Sequence, residues 1–348
     1  MNWLFSKKHD LLILFLPVWS CWVVAFLLPE EVINVDAPLW IWVLFVLGID
    51  VSHVWSTLFR TYLDKEEFQN HRKTLIAAPL FGFLLAFAVA SVSIFWFWRI
   101  LAYVALFHFI KQQYGFMRIY KARAKDHKRQ WIKDDLVIYL AMLYPVLFWH
   151  LSPLRNFSWF TTGDFVTLPL PQDGLLFPIL NSIYFLVLGL WLIQEILKSA
   201  SFTWGKVLWV LTTAGNWYIG IVHFNSDIIF TVTNVVAHGV PYVALVLFYQ
   251  KGKSSITGVA THLPLVVIVG ILILALSEEF FWDVLINREK EAFFSTFLPY
   301  FESPSSWLWV AFFTALLSLP QITHYIIDGF IWKSNASNPH LKKILIDA

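Results

Sequence analysis

The sequence predicts an all-α fold: a polytopic bundle of about ten membrane-spanning helices with both termini in the cytoplasm. Three observations carry that expectation. The 348-residue chain is 58% hydrophobic and only 14% charged, where a soluble protein carries about 25% charged residues. Apolar stretches long enough to cross a bilayer recur from end to end, and the longest polar segment, 121–135, has room for a loop only. Lysine and arginine crowd into every second connection. Residues 1–348 therefore read as a single integral-membrane domain.

The spans fall at about 11–28, 38–60, 74–96, 97–118, 135–151, 175–197, 206–222, 227–249, 263–282 and 306–332. The first follows Lys7 and Lys8 and lacks a small-residue cleavage site, so it is expected to be retained. The second runs into Arg60, with Lys65, Arg72 and Lys73 beyond it. A short Trp/Phe-rich turn around 95–99 separates the third from the fourth. Arg118, Lys121, Arg123, Lys125, Lys128, Arg129 and Lys133 follow the fourth. After the fifth comes an apolar segment, 152–174, whose Thr167-Leu-Pro-Leu-Pro-Gln stretch is broken by its prolines and is expected to cap the outer face. Lys198 and Lys206 follow the sixth span, Lys251 and Lys253 the eighth, and Lys333, Lys342 and Lys343 the tenth. The opposite connections hold only Arg99, Arg155, Arg288 and Lys290. The positive-inside rule then places the basic connections and both termini in the cytoplasm, in what is expected to be a bacterial cytoplasmic membrane. The net charge is only +2, and no nucleic-acid partner is expected. Cys21 is the sole cysteine, which excludes an intramolecular disulfide and a thiolate metal site.

Four histidines interrupt the apolar spans: His53, His108, His238 and His324. Ionisable groups at membrane depth point to a functional site. Counted back from the basic residue that ends each span, and at about 1.5 Å per helical residue, they lie roughly 10, 15, 20 and 13–14 Å deep respectively. Within a hydrocarbon core of about 30 Å these depths overlap. Each has a polar neighbour one turn away: Asp50 before His53, Gln112 after His108, Asn234 before and Tyr242 after His238, and Asp328 after His324. That is the pattern of a metal-ligating histidine with a partner that fixes its ring, the carboxylates serving as ligand or outer partner. A cluster rich in imidazole, with carboxylate nearby and no thiolate, favours non-haem iron, one ion or two, over zinc, copper or haem. His223 and Asp227 form another polar pair at an outer turn, read either as a secondary site or as an interfacial turn in which Ser226 or Asn225 caps the next helix. His9, His71, His127, His262 and His340 fall in loops or tails, where solvation is the default.

The segments Gly48-Ile-Asp-Val-Ser-His53, Phe107-His108-Phe109, Ala237-His238-Gly239 and Leu319-Pro320 with His324 and Asp328 resemble, in order and context, the Brp/Blh-type β-carotene 15,15′-dioxygenases. The resemblance covers about a tenth of the chain. It implies a polytopic membrane protein with iron held by histidines on several helices. The chain departs from that family at Tyr242, where a second histidine would be expected, and the resemblance does not extend to carotene as substrate. The paired histidine boxes of membrane desaturases are absent, as is the C-x-x-C-H of covalent haem attachment.

Two functions follow as expectations. The first is a membrane-embedded, histidine-ligated iron oxygenase that acts with O₂, and an electron donor if one is needed, on an apolar lipid-like or isoprenoid substrate from the bilayer. The second is a proton- or metal-ion-coupled transporter using the same intramembrane His and Asp residues. The stretches after His53 and His108, rich in Arg, Tyr and Gln, are expected to continue as helices past the inner surface.

Overall fold

The computed structural model describes residues 3–35, 37–126, 130–171, 174–198, 202–258 and 261–347; His127, Lys128, Arg129 and Gln172, named above, lie outside them. All regular structure among the described residues is helical. The main helices are α1 (Lys7–Leu27), α2 (Leu39–Arg60), α3 (Lys65–Asn70), α4 (Arg72–Val92), α5 (Ile94–Arg123), α6 (Asp134–Leu151), α7 (Leu176–Leu197), α8 (Trp204–Trp217), α9 (Asp227–Thr257), α10 (Pro264–Asn287), α11 (Trp307–Leu317) and α12 (Leu319–Ile331). Eight of them are long and apolar enough to cross a membrane, or nine spans if the bent pair α11–α12 is counted as one. The protein is an integral multi-pass membrane protein.

The expected ten spans differ from this count at 206–222. That segment is helical, as α8 followed by a π-wound turn, Tyr218–His223. It carries Lys206, Thr212, Thr213 and Asn216, all buried. Its polarity is taken up inside the protein: Trp19 donates to the Thr212 hydroxyl at 3.0 Å and Trp22 to the Asn216 amide oxygen at 3.1 Å. α8 is therefore a polar core helix. The break between α4 and α5 falls at Ser93, earlier than expected, where the Ser93 hydroxyl accepts from the Trp96 N–H. α5 continues to Arg123 as expected, but α2 stops at Arg60. There the Thr61 hydroxyl bonds back to the Thr57 carbonyl, and Asp64 caps the first N–H groups of α3. His71 is buried at the junction of α3 and α4, not solvated.

The chain forms two compact units, Met1–Phe45 with Leu106–Ala244 and Leu345–Ala348, and Val46–Ala105 with Leu245–Ile344. In the first, α6 packs on α7 and α8, and α1 packs on α8. The approach of α1 is close: a Cβ at Gly215 would meet the Trp22 ring at 2.8 Å. At one end of this unit Lys206 reaches Asp126 at 2.6 Å, Glu195 at 2.9 Å and Asp134 at 3.2 Å, while Lys198 reaches Asp126 at 3.0 Å and Glu195 at 2.6 Å. All five side chains are buried, so each charge depends on the others.

In the second unit α4 packs against both α11 and α12, and α2 against α10. A Cβ at Gly82 would meet Ile322 at 2.8 Å, so glycine sets the α4–α12 spacing. The Arg60 guanidinium lies over the Tyr249 ring at 3.9 Å and pairs with Glu67 at 2.5 Å. It also donates to the Ile331 carbonyl at 3.0 Å, tying the ends of α2 and α12 together. Lys253 adds contacts to Asp64, Glu66 and Glu67.

Pro79, Pro145 and Pro241 lie inside α-wound stretches of spanning helices. Each lacks the N–H that would meet the carbonyl four residues earlier. In two cases a side chain from another helix or its end supplies the donor: the Tyr62 hydroxyl reaches the Leu75 carbonyl at 2.7 Å, and the Gln113 amide the Ala237 carbonyl at 3.1 Å. Near Pro145 the Tyr184 hydroxyl lies between two carbonyls, 3.1 Å from Ala214 and 3.4 Å from Ala141.

Burial raises the Asp126 carboxyl pKa, but the Lys206 and Lys198 ammoniums bonded to it prevail and hold it below its ordinary value. Burial likewise opposes, and Arg60 together with Tyr249 and Lys253 outweighs it, at Glu67. A folded-state pKa below the unfolded one adds stability that is complete above the ordinary carboxylate range near about 4 and is lost as pH falls through the depressed value. The melting temperature of the detergent-solubilised protein should therefore fall between pH 5 and pH 3. Lys206→Met should lower stability at pH 7 by about 3–5 kcal/mol, because it strands buried carboxylates. A melting temperature indifferent to both changes would contradict this account of the network.

Candidate metal centre

The structure brings His53, His108, His238 and His324 together. One ligand atom from each lies within 4.8 Å of every other, and all four residues are buried. Ligands of one ion at roughly 2.0–2.2 Å sit at most about 4.4 Å apart, and a limit of 4.8 Å is close to that. The group can hold a metal ion.

The rings pair edge to face. His53 and His324 have centroids 5.1 Å apart at 78°, and His108 and His238 have centroids 5.1 Å apart at 79°. His53 follows a π-wound stretch of α2, Trp42–Val51, an irregularity that recurs at functional sites. Its Nδ1 lies 3.7 Å from the Asp50 carboxylate, the side chain one turn earlier. His324 sits in the first half of α12, just past the bend, and its Nδ1 is 2.8 Å from the Thr57 hydroxyl and 3.7 Å from Asp328. With Nδ1 so engaged, Nε2 is the nitrogen that would meet a metal. Asp50 and Asp328 thus stand beside ligand rings, where they can orient them. Neither belongs to the four-residue group.

His238 is fixed by what surrounds it. The Phe109 ring lies flat on its imidazole, with centroids 3.5 Å apart and planes 8° from parallel. Trp159, from the segment after α6, packs edge-on against Phe109 at 4.9 Å. That segment is non-helical, as its prolines require, and Asp164 holds it by accepting from the Trp159, Phe160 and Thr161 N–H groups. The α9 backbone around His238 is pinned from α5: Gln112 donates to the His238 carbonyl at 2.8 Å and Gln113 to the Ala237 carbonyl. Gln113 is held in turn by Thr213, which donates to its amide oxygen at 3.0 Å.

The other polar neighbours are placed as follows. Gln112 serves the backbone of His238 and not the ring of His108, its helical neighbour. Asn234 donates to the Phe230 carbonyl of its own helix at 2.8 Å. Tyr242 is buried one turn beyond His238. His223 and Asp227 are outside the group; the His223 ring packs against Phe26 and Phe224, and the Ser226 hydroxyl accepts from the Ile229 N–H at the start of α9. Thr57 and Gln113 do not stand out in the sequence. Each nonetheless carries a signal: Thr57 lies four residues after His53, and Gln113 answers the carbonyl that Pro241 must release.

Beside His324, in the second unit, lies a cavity of about 290 Å³. It sits at the 43° bend between α11 and α12 and is lined from α2, α4, α11 and α12.

No family model, curated protein or solved structure matches this chain.

If Gln113 stands in for the missing proline N–H, Gln113→Leu should cost about 1–3 kcal/mol by leaving a buried carbonyl unmet. Adding Pro241→Ala should restore most of it, because an alanine at that position brings its own N–H to the Ala237 carbonyl. Thermal unfolding of both variants checks this; an additive, non-rescuing pair would contradict it.

Proposed function

We propose that the protein is a membrane-embedded, histidine-ligated non-haem iron oxygenase that acts with O₂ on an apolar, lipid-like or isoprenoid substrate. The observation that carries this reading is the buried group of four imidazoles. Four neutral nitrogen donors without thiolate suit a first-row transition metal, and the nearby carboxylates Asp50 and Asp328 favour iron among them. Haem fits poorly, because its four pyrrole nitrogens leave only two axial positions, whereas four imidazole ligand atoms converge here. A bound iron with four protein ligands retains open positions, and it supplies activation of O₂. The protein residues hold the geometry: Thr57 and Asp328 orient His324, Asp50 orients His53, and Phe109 fixes the plane of His238.

The order of the four histidine segments, which resembles that of the Brp/Blh-type dioxygenases, supports the same reading. The topology proposed with it places both termini and the basic connections in the cytoplasm, of a bacterium in the simplest case.

The purified protein should contain about one or two irons per chain, without a haem absorption band, and should consume O₂ when given its apolar substrate. His238→Ala and His324→Ala should lose the metal while remaining inserted in the membrane. Asp328→Asn should weaken metal affinity by about 10–100-fold. Protein that carries no transition metal, yet moves protons or metal ions when reconstituted in vesicles, would overturn the oxygenase in favour of a transporter.

A further inference from the structure

The cavity beside His324 has a composition that selects an occupant. Val54 and Leu58 of α2, Leu316 of α11, and Leu319, Pro320 and Ile327 of α12 form most of its wall. Three hydroxyl-bearing residues also line it, and none offers its oxygen to the interior. Thr57 is turned to His324 at 2.8 Å, and Tyr62 to the Leu75 carbonyl at 2.7 Å. The Thr323 oxygen is buried, closed off from the cavity surface, and has no hydrogen-bond partner among the described residues. Water held there would lack the two to four polar partners that an ordered buried water needs. Hydrocarbon loses nothing by entering.

Size and opening narrow the occupant further. At roughly 30 Å³ per heavy atom, 290 Å³ holds on the order of ten atoms of a chain. The mouth is formed by Leu316, which is 41% exposed, with Leu58, Tyr62 and Pro79 half-buried around it. On an apolar helix face of a membrane protein, that exposure is toward lipid. The cavity exists because the chain bends. Pro320 lacks the N–H that would meet the Leu316 carbonyl, and α12 leaves the axis of α11 at this point.

We infer that this cavity is the substrate pocket, and that it takes the hydrocarbon end of a single chain, about ten heavy atoms long, laterally from the bilayer. The chain end is thereby laid against the His324 side of the centre, and any polar head group stays outside. The inference rests on the oxygenase reading for its chemistry, though binding of the chain does not depend on it. Selection works by exclusion: a hydroxyl carried into this wall finds no partner and pays its desolvation cost.

The test is photolabelling in lipid nanodiscs, with fatty acyl probes bearing a diazirine either at the terminal carbon or beside the head group, mapped by peptide mass spectrometry. The terminal probe should label residues 54–62 and 316–327, and the head-proximal probe should not. Excess decane should suppress that labelling at least tenfold more effectively than 1,10-decanediol. Leu316→Trp, which fills the mouth, should abolish it while metal content stays unchanged. Equal labelling by both probes, or equal competition by decane and the diol, would overturn the inference. Should Leu316→Trp fail to fold, the competition experiment on the unaltered protein decides alone. The metal content of the labelled wild type separates the two claims: purified protein without iron sinks the oxygenase, whereas absent labelling with iron present sinks only the pocket.

Discussion

Every polar group inside this protein must be answered by another part of the protein, because the surrounding lipid offers no hydrogen bonds. The prolines show how far that constraint reaches. Pro79 and Pro241 each release a carbonyl, and Tyr62 and Gln113 each take one up. Gln113 links the constraint to the site, since the carbonyl it meets belongs to Ala237, the residue before His238.

The same constraint shapes where charge is buried. Two dense networks, one around Lys206 and one around Arg60, gather many of the buried charges. The candidate centre is built from imidazoles, which are neutral as ligands and cost far less to bury than carboxylates. The carboxylates near it, Asp50 and Asp328, stand 3.7 Å from ring nitrogens. There they can polarise a ring without adding a charge to the coordination sphere. Phe109, backed by Trp159, stacks on the His238 ring.

The helical membrane architecture is legible in the sequence because lipid demands long apolar stretches, and the four histidines stand out against them. Their shared depth is legible too, since helical rise converts residue count into distance. What one strand of sequence cannot display is which side chain arrives from another helix. Helical spacing pairs Gln112 with His108, yet Gln112 serves the backbone of His238. Thr57 draws no notice in the sequence, yet it holds the ring of His324, 267 positions away. α8 reads as a lipid-crossing span because its apolar residues dominate a short window, while its buried Lys206 and Asn216 belong to networks assembled from distant segments. His71 reads as solvated because it lies between charged residues, and the packing of α3 on α4 buries it.

The central proposal is that iron is held by the imidazoles of His53, His108, His238 and His324. Iron K-edge X-ray absorption on the purified protein tests it most directly. The account predicts a shell of nitrogen and oxygen scatterers at roughly 2.0–2.2 Å, no sulfur, and outer-shell scattering that fits about four imidazoles, falling by one in each single His→Ala variant that still retains iron. A spectrum with a porphyrin signature, or one fitted by two imidazoles or fewer, would contradict it.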